Sequence, residues 1–96
     1  MRKSNDRFRL KLYITGETQR SLEAVNAIRA ICDERLQGRY HLETVDLREH
    51  PELGSREQII ALPLLVRSLP SPLRRLIGNL SNLDSVLQGL ELAPGP

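Results

Sequence analysis

Leu69-Pro70-Ser71-Pro72-Leu73-Arg74-Arg75-Leu76-Ile77-Gly78-Asn79-Leu80-Ser81 decides the fold, because it satisfies two templates at once. Each proline fixes its own φ and pushes the preceding residue towards extended backbone, which holds the start of the stretch extended. Leu73, Leu76, Ile77 and Leu80 nevertheless fall at the spacing of an apolar helical face, and the run is also short enough to be a strand. Read as a strand, 73 to 77 closes a hairpin with 64 to 68 around Pro70 and Pro72. Ser81 is then the cap of a final helix with Asp84 at its third position and Leu83, Val86, Leu87 and Leu90 as its apolar stripe. Read as a helix through 73 to 83, the same stretch leaves 85 to 92 as a strand.

Upstream of this stretch the signals agree with one another. Phe8, Leu10, Leu12 and Ile14 alternate with Arg9, Lys11 and Tyr13, the period of a strand with one face in the core. Gly16 provides a turn and Thr18 an N-cap. Leu22, Val25, Ile28, Ile31, Cys32 and Leu36 then form a broad helical stripe that stops at Gly38. Tyr40 to Leu47 returns as a strand and completes a β-α-β unit, which is expected to be parallel and right-handed. Pro51 opens a short helix over 51 to 60, with Leu53, Glu57 and Ile60 along it. Pro63 can begin the next strand without losing a ladder donor. The order β-α-β-α-β-β-α is the thioredoxin-like arrangement of the α/β class.

A chain of 96 residues, 40% of them apolar, makes one domain over 8 to 92, with a basic N-terminus (1 to 7) and a short tail (93 to 96) expected to be flexible. No apolar run approaches a membrane span and no secretory signal is visible, which gives a cytoplasmic expectation with no membrane partner. The net charge of +2 is segregated: Arg67, Arg74 and Arg75 stand in a stretch from 61 to 83 without an acid, while Glu43, Asp46, Glu49, Glu52 and Glu57 share the central segment. That pattern suits the steering of a protein partner. Nucleic acid is disfavoured, because Phe8, Tyr13 and Tyr40 are the only aromatics and offer no stacking platform.

Leu10-Lys11-Leu12-Tyr13-Ile14-Thr15-Gly16, Gly38-Arg39-Tyr40, Val45-Asp46-Leu47, Pro51-Glu52-Leu53, Pro72-Leu73-Arg74-Arg75-Leu76-Ile77-Gly78 and Val86-Leu87-Gln88-Gly89-Leu90 together resemble the KaiB family of circadian clock proteins. The resemblance implies a non-enzymatic protein with two folds: a tetrameric ground state of order β-α-β-β-α-α-β, and a thioredoxin-like monomer that binds the ring-shaped ATPase KaiC and engages KaiA-like or SasA-like competitors. Lys11, Glu52, Glu57, Arg74 and Arg75 are the expected partner-binding residues. Pro63, Pro70, Pro72, Gly78, Gly89 and Glu91 are the expected fold-switch positions, with Pro63 expected in the cis form. Alanine at Gly89 is expected to favour a closing helix if no neighbour needs the space. Glu17 and Gln19 stand where the family usually carries Asn and Pro, and Leu62-Pro63-Leu64 where it carries Thr-Pro-Thr, so the chain reads as a divergent paralogue. The thioredoxin-like arrangement is the expected one, since Leu62, Leu64 and Leu65 add apolar, β-prone weight to the third strand.

Catalytic chemistry finds no footing in these residues. A thioredoxin-like oxidoreductase needs a thiol at the start of its first helix, where helix dipole and free amides lower its pKa. That place reads Gly16-Glu17-Thr18-Gln19-Arg20-Ser21, and Cys32 lies well inside the helix as a candidate core residue. His41 and His50 lack the companions of a metal site, and neither a phosphate-cradling glycine loop nor a nucleophile elbow is present, so no cofactor is expected. The alternative to a docking module is a redox-inactive thioredoxin-like protein that binds a peptide or small thiol beside Pro63.

Overall fold

A computed structural model of the chain describes residues 7–59, 61–78 and 80–92. The flexible segments expected at the two ends lie almost wholly outside these residues, as does Ile60. Seven elements follow one another: β1 (Phe8–Ile14), α1 (Gln19–Arg35), β2 (Tyr40–Asp46), α2 (Glu52–Arg56), β3 (Leu64–Leu69), β4 (Arg74–Ile77) and α3 (Leu83–Gly89). They form one sheet of order β2-β1-β3-β4, in which β1 runs parallel to β2 and antiparallel to β3, and β4 hairpins back on β3. This is the β-α-β-α-β-β-α order. The contested stretch has therefore resolved as strand followed by helix, and the order β-α-β-β-α-α-β is not the one adopted.

Two apolar clusters hold the sheet, one on each face. On one face Leu10, Leu12 and Leu65 pack against Ile28, Ile31 and Cys32 of α1 and Val86, Leu87 and Leu90 at the end of the chain. Side chains buried to this degree contribute roughly 1.5–3 kcal/mol each relative to exposure. On the other face Tyr13, Val45 and Leu64 are buried beneath Leu53, Ile59 and Leu62. The alternation in β1 had assigned Tyr13 to the outer face; that face is covered at this end by the α2 segment, and burial raises the phenol's pKa. The same second layer explains β2, whose Tyr40 and Leu42 join the first cluster while Val45 joins the second.

Capping follows local chemistry, with small displacements from expectation. Thr18 caps α1 by accepting from the Ser21 N–H at 3.2 Å. The helix ends at Arg35 with Leu36 as its cap, and Gly38 belongs to the turn beyond, closed by the Arg39 N–H on the Leu36 carbonyl at 2.8 Å. α2 covers 52 to 56 and not 51 to 60. Asn82, not Ser81, caps α3, accepting from the Ser85 N–H at 3.0 Å, because a shorter helix puts the asparagine at the boundary. Leu22 leaves the core stripe and is 48% exposed, since it sits in the first turn of α1, off the line of Ala24, Ile28 and Ile31.

Candidate functional site

Strand parity sorts the expected partner-binding residues onto opposite faces. Glu43, Lys11, Val66 and Arg75 form one cross-strand row through all four strands, on the face that α2 covers only at one end. Lys11 Nζ stands 3.9 Å from Glu43 Oε1, both half-exposed. Arg75 Nη2 donates to the Glu57 carbonyl at 3.1 Å and the Gln58 carbonyl at 3.3 Å, tying β4 to the C-terminus of α2. Glu57 thus meets the row through its backbone, whereas Glu52 turns away towards His50 Nδ1 at 3.9 Å. Lys11, Glu57 and Arg75 are brought together; Arg74 is not, because adjacent strand residues point to opposite sides.

Arg74 instead joins a polar centre at the end of the chain, whose hub is Arg67. Arg67 is 1% exposed, in the α3-facing series of β3 two residues beyond Leu65. Its Nη1 donates to the Leu90 carbonyl at 3.0 Å and lies 3.1 Å from Glu91 Oε1, and its Nη2 donates to the Pro72 carbonyl at 2.8 Å. Arg74 Nη2 donates to Glu91 Oε2 at 2.6 Å. The hydrogen bond from Arg67, with the charge of Arg74, holds the Glu91 carboxyl below the usual range. One buried guanidinium therefore joins β3, the proline turn and the end of α3. The sequence places Arg67 among the unopposed cations of 61 to 83 without a site role; its further signal is a lone arginine on the apolar face of a strand, at Leu65-x-Arg67-x-Leu69.

Of the expected fold-switch positions, Pro72 and Glu91 touch this hub, whereas Pro63 and Gly78 stand together at the opposite end of the β3–β4 hairpin. The peptide bonds before Pro63, Pro70 and Pro72 are cis, as expected for Pro63. Gly78 ends β4 at φ +102°, and Glu91 stands at φ +62°, uncommon for a residue with a Cβ. Gly89 is the last residue of α3, and a Cβ there would stand 2.6 Å from Leu76 Cγ. The space that alanine needs is thus occupied, which reverses the gain expected from Gly89→Ala.

At the start of α1, the position of a thioredoxin thiol pair, stand hydroxyls. Thr18 Oγ1 donates to Ser21 Oγ at 2.9 Å, and Ser21, buried, also accepts from the Thr15 N–H at 3.1 Å. Cys32 is fully buried and its thiol is pushed up to about 11 by desolvation, the opposite of an activated nucleophile. Among the described residues no group of three or more His, Cys, Asp or Glu is placed to hold a metal ion, and no helix is long and apolar enough to cross a membrane.

Comparison with known proteins turns on the span that carries both centres: the KaiB domain family model matches residues 11–92. The chain belongs to the KaiB family. It is 43% identical over 89 residues to circadian clock protein KaiB3 of Synechocystis sp. (strain ATCC 27184 / PCC 6803 / Kazusa), covering 93% of this chain and 87% of that one. It is 38% identical over 92 residues to the circadian clock oscillator protein KaiB of Nostoc sp. (strain PCC 7120 / SAG 25.82 / UTEX 2576), covering 96% and 85%. Among solved structures it is similar to the N-terminal domain of Synechococcus elongatus SasA, with TM-score 0.71 at 19% identity over 95% of this chain and 90% of that one. Chloroplastic thioredoxin z gives TM-score 0.68 at 18% identity, over 92% and 81%. The KaiB family chain thus stands in a thioredoxin-like fold and carries a clock-related role.

Proposed function

We propose that this KaiB family chain is a non-catalytic, cytoplasmic interaction module that docks on a KaiC-type ATPase ring and modulates circadian or related timing and stress signalling. The observation that carries this reading is the arrangement of the second half, strand over 74–77 and helix over 83–89, to which the family resemblance attaches ring binding. The row Glu43, Lys11, Val66 and Arg75 supplies a partly uncovered, charge-bearing sheet face for docking, with Glu52 and Glu57 on the adjoining α2 segment and Arg74 at the other face of β4. KaiA-like or SasA-like proteins are the competitors or co-partners in this reading; the fold shared with the SasA domain supports competition for one surface. Exchange with a tetrameric ground-state fold would refold the segment marked by Pro63, Pro70, Pro72, Gly78, Gly89 and Glu91.

The peptide-binding alternative is less well supported, since the cavity lined by Pro63, Gly78 and Arg20 encloses only about 20 Å³, room for about one water. Size-exclusion chromatography with a KaiC-type ATPase and nucleotide tests the reading. Co-elution is expected, weakened by Lys11→Glu and Arg75→Glu. A chain that remains monomeric and unbound while its backbone shifts report this same fold would refute it.

A further inference from the structure

We propose that Arg67 and Arg74 form a carboxylate clamp that Glu91 of the same chain fills, and from which an acidic side chain of a protein partner displaces it. One cation of the clamp, Arg67, is fixed, and the other, Arg74, is half-exposed. Arg67 is held by carbonyls of two distant segments, at Pro72 and Leu90, and its Nε is buried without a hydrogen-bond partner. The anion side is replaceable. The Glu91 side chain is 47% exposed and its backbone sits at φ +62°, a conformation disfavoured for any residue but glycine. Its two carboxylate oxygens are divided, Oε1 to Arg67 and Oε2 to Arg74, an arrangement that any carboxylate of similar reach reproduces.

The surroundings favour a protein occupant. Leu69 and Leu73, which flank the proline turn, are 43% and 59% exposed, so that the segment running from Arg67 to Arg74 carries exposed apolar side chains, the mixture found in a protein contact. No acid occurs from 61 to 83 to neutralise that segment. Glu91 then acts as a built-in competitor, lowering a partner's apparent affinity by the fraction of time the clamp is closed. The inference rests on the reading of the chain as an interaction module but not on an ATPase ring, and its test uses no ring.

The test is an NMR titration of the full chain with an acetylated, amidated peptide of alternating leucine and glutamate, against its leucine–glutamine counterpart at matched ionic strength. Shifts are expected at the 67, 74 and 91 signals with the glutamate peptide only. Glu91→Gln should tighten binding about tenfold, and Arg74→Gln should abolish it. Glu91→Gly repeats the experiment with a residue at ease at positive φ, should the glutamine variant fold poorly. Equal binding of the glutamine peptide, affinity unchanged in both Glu91 variants, or the same shifts at the same affinity with inorganic phosphate would overturn the proposal.

Discussion

Around Leu12 and Ile28 the molecule is held by packed apolar side chains, whereas around Arg67 it is held by hydrogen bonds from one strand to carbonyls at Pro72 and Leu90. In the first region each residue's place follows from its neighbours three, four or two positions away. In the second it follows from partners as far as 23 residues along the chain. Local periodicity can specify the former. The latter is specified only once the chain has come together, so a segment with ambiguous periodicity depends on a polar centre to select its fold.

Removing that centre gives the largest effect. Arg67→Met should cost several kcal/mol in urea unfolding, because the Leu90 and Pro72 carbonyls each lose their donor at about 1–3 kcal/mol, while half-exposed Glu91 keeps Arg74. Leu12→Ala in the apolar region falls in a similar range, about 2–5 kcal/mol. The regions should separate in location, with Arg67→Met unprotecting amides of 74–77 and 83–90 first. An Arg67→Met loss below about 1 kcal/mol would break the comparison. Next, Gly89→Ala should lower the melting temperature, since pushing Leu76 aside costs about 1–3 kcal/mol against a helix gain of about 0.5–1 kcal/mol. Leu76→Ala in the same chain should reverse the sign of the Gly89→Ala effect, and a melting temperature raised by Gly89→Ala alone would refute the steric account.

Smaller effects sharpen the contrast. Thr18→Ala and Asn82→Ala each remove an N-cap and should each cost about 1 kcal/mol. Equal losses would show that capping is local in both regions. Acid should loosen both: Glu91 and Asp46 have carboxyls lowered from 4.5 and 3.8. For each, stability is present above the ordinary value and is lost as pH falls through the depressed native one. The Glu91→Gln variant should show a shallower loss below pH 4.5 in chemical denaturation. Cys32 should resist a thiol reagent at neutral pH until the chain unfolds, and rapid labelling of the native state would contradict its buried, raised-pKa setting.

Much of this was legible in the residues. The alternation in 8 to 14, Thr18 as a cap and the helical stripe through Ile28 and Cys32 each rest on spacing within one element. The order of the second half came from β-prone weight at Leu62, Leu64 and Leu65 and from the family resemblance, because the spacing of Leu73, Leu76, Ile77 and Leu80 supports either parse. Tyr13 misled because one strand's alternation cannot show that a second layer covers the other face. Arg74 and Arg75 are adjacent in sequence but separated by strand parity, and the joining role of Arg67 could not be read because two of its acceptors are backbone carbonyls, which every residue carries.

The loop before α1 shows what such long-range specification permits. Asp46 Oδ1 accepts from the Gly16 N–H at 3.0 Å and from the Arg48 N–H at 2.9 Å, so the end of β2 fixes the turn from 30 residues away. Gly16 sits at φ +57°, a left-handed backbone that strains any residue with a Cβ, and the far end of the exposed Arg48 side chain lies across it. Glu17 and Gln19 beside this turn are exposed, and with Leu62 and Leu64 they are positions at which the family resemblance leads one to expect other residues. A turn shaped from outside itself is free to change its own letters: substitutions at Glu17 and Gln19 alter the exposed surface at the mouth of α1 while the Asp46 bonds that shape the crossover beneath stay in place.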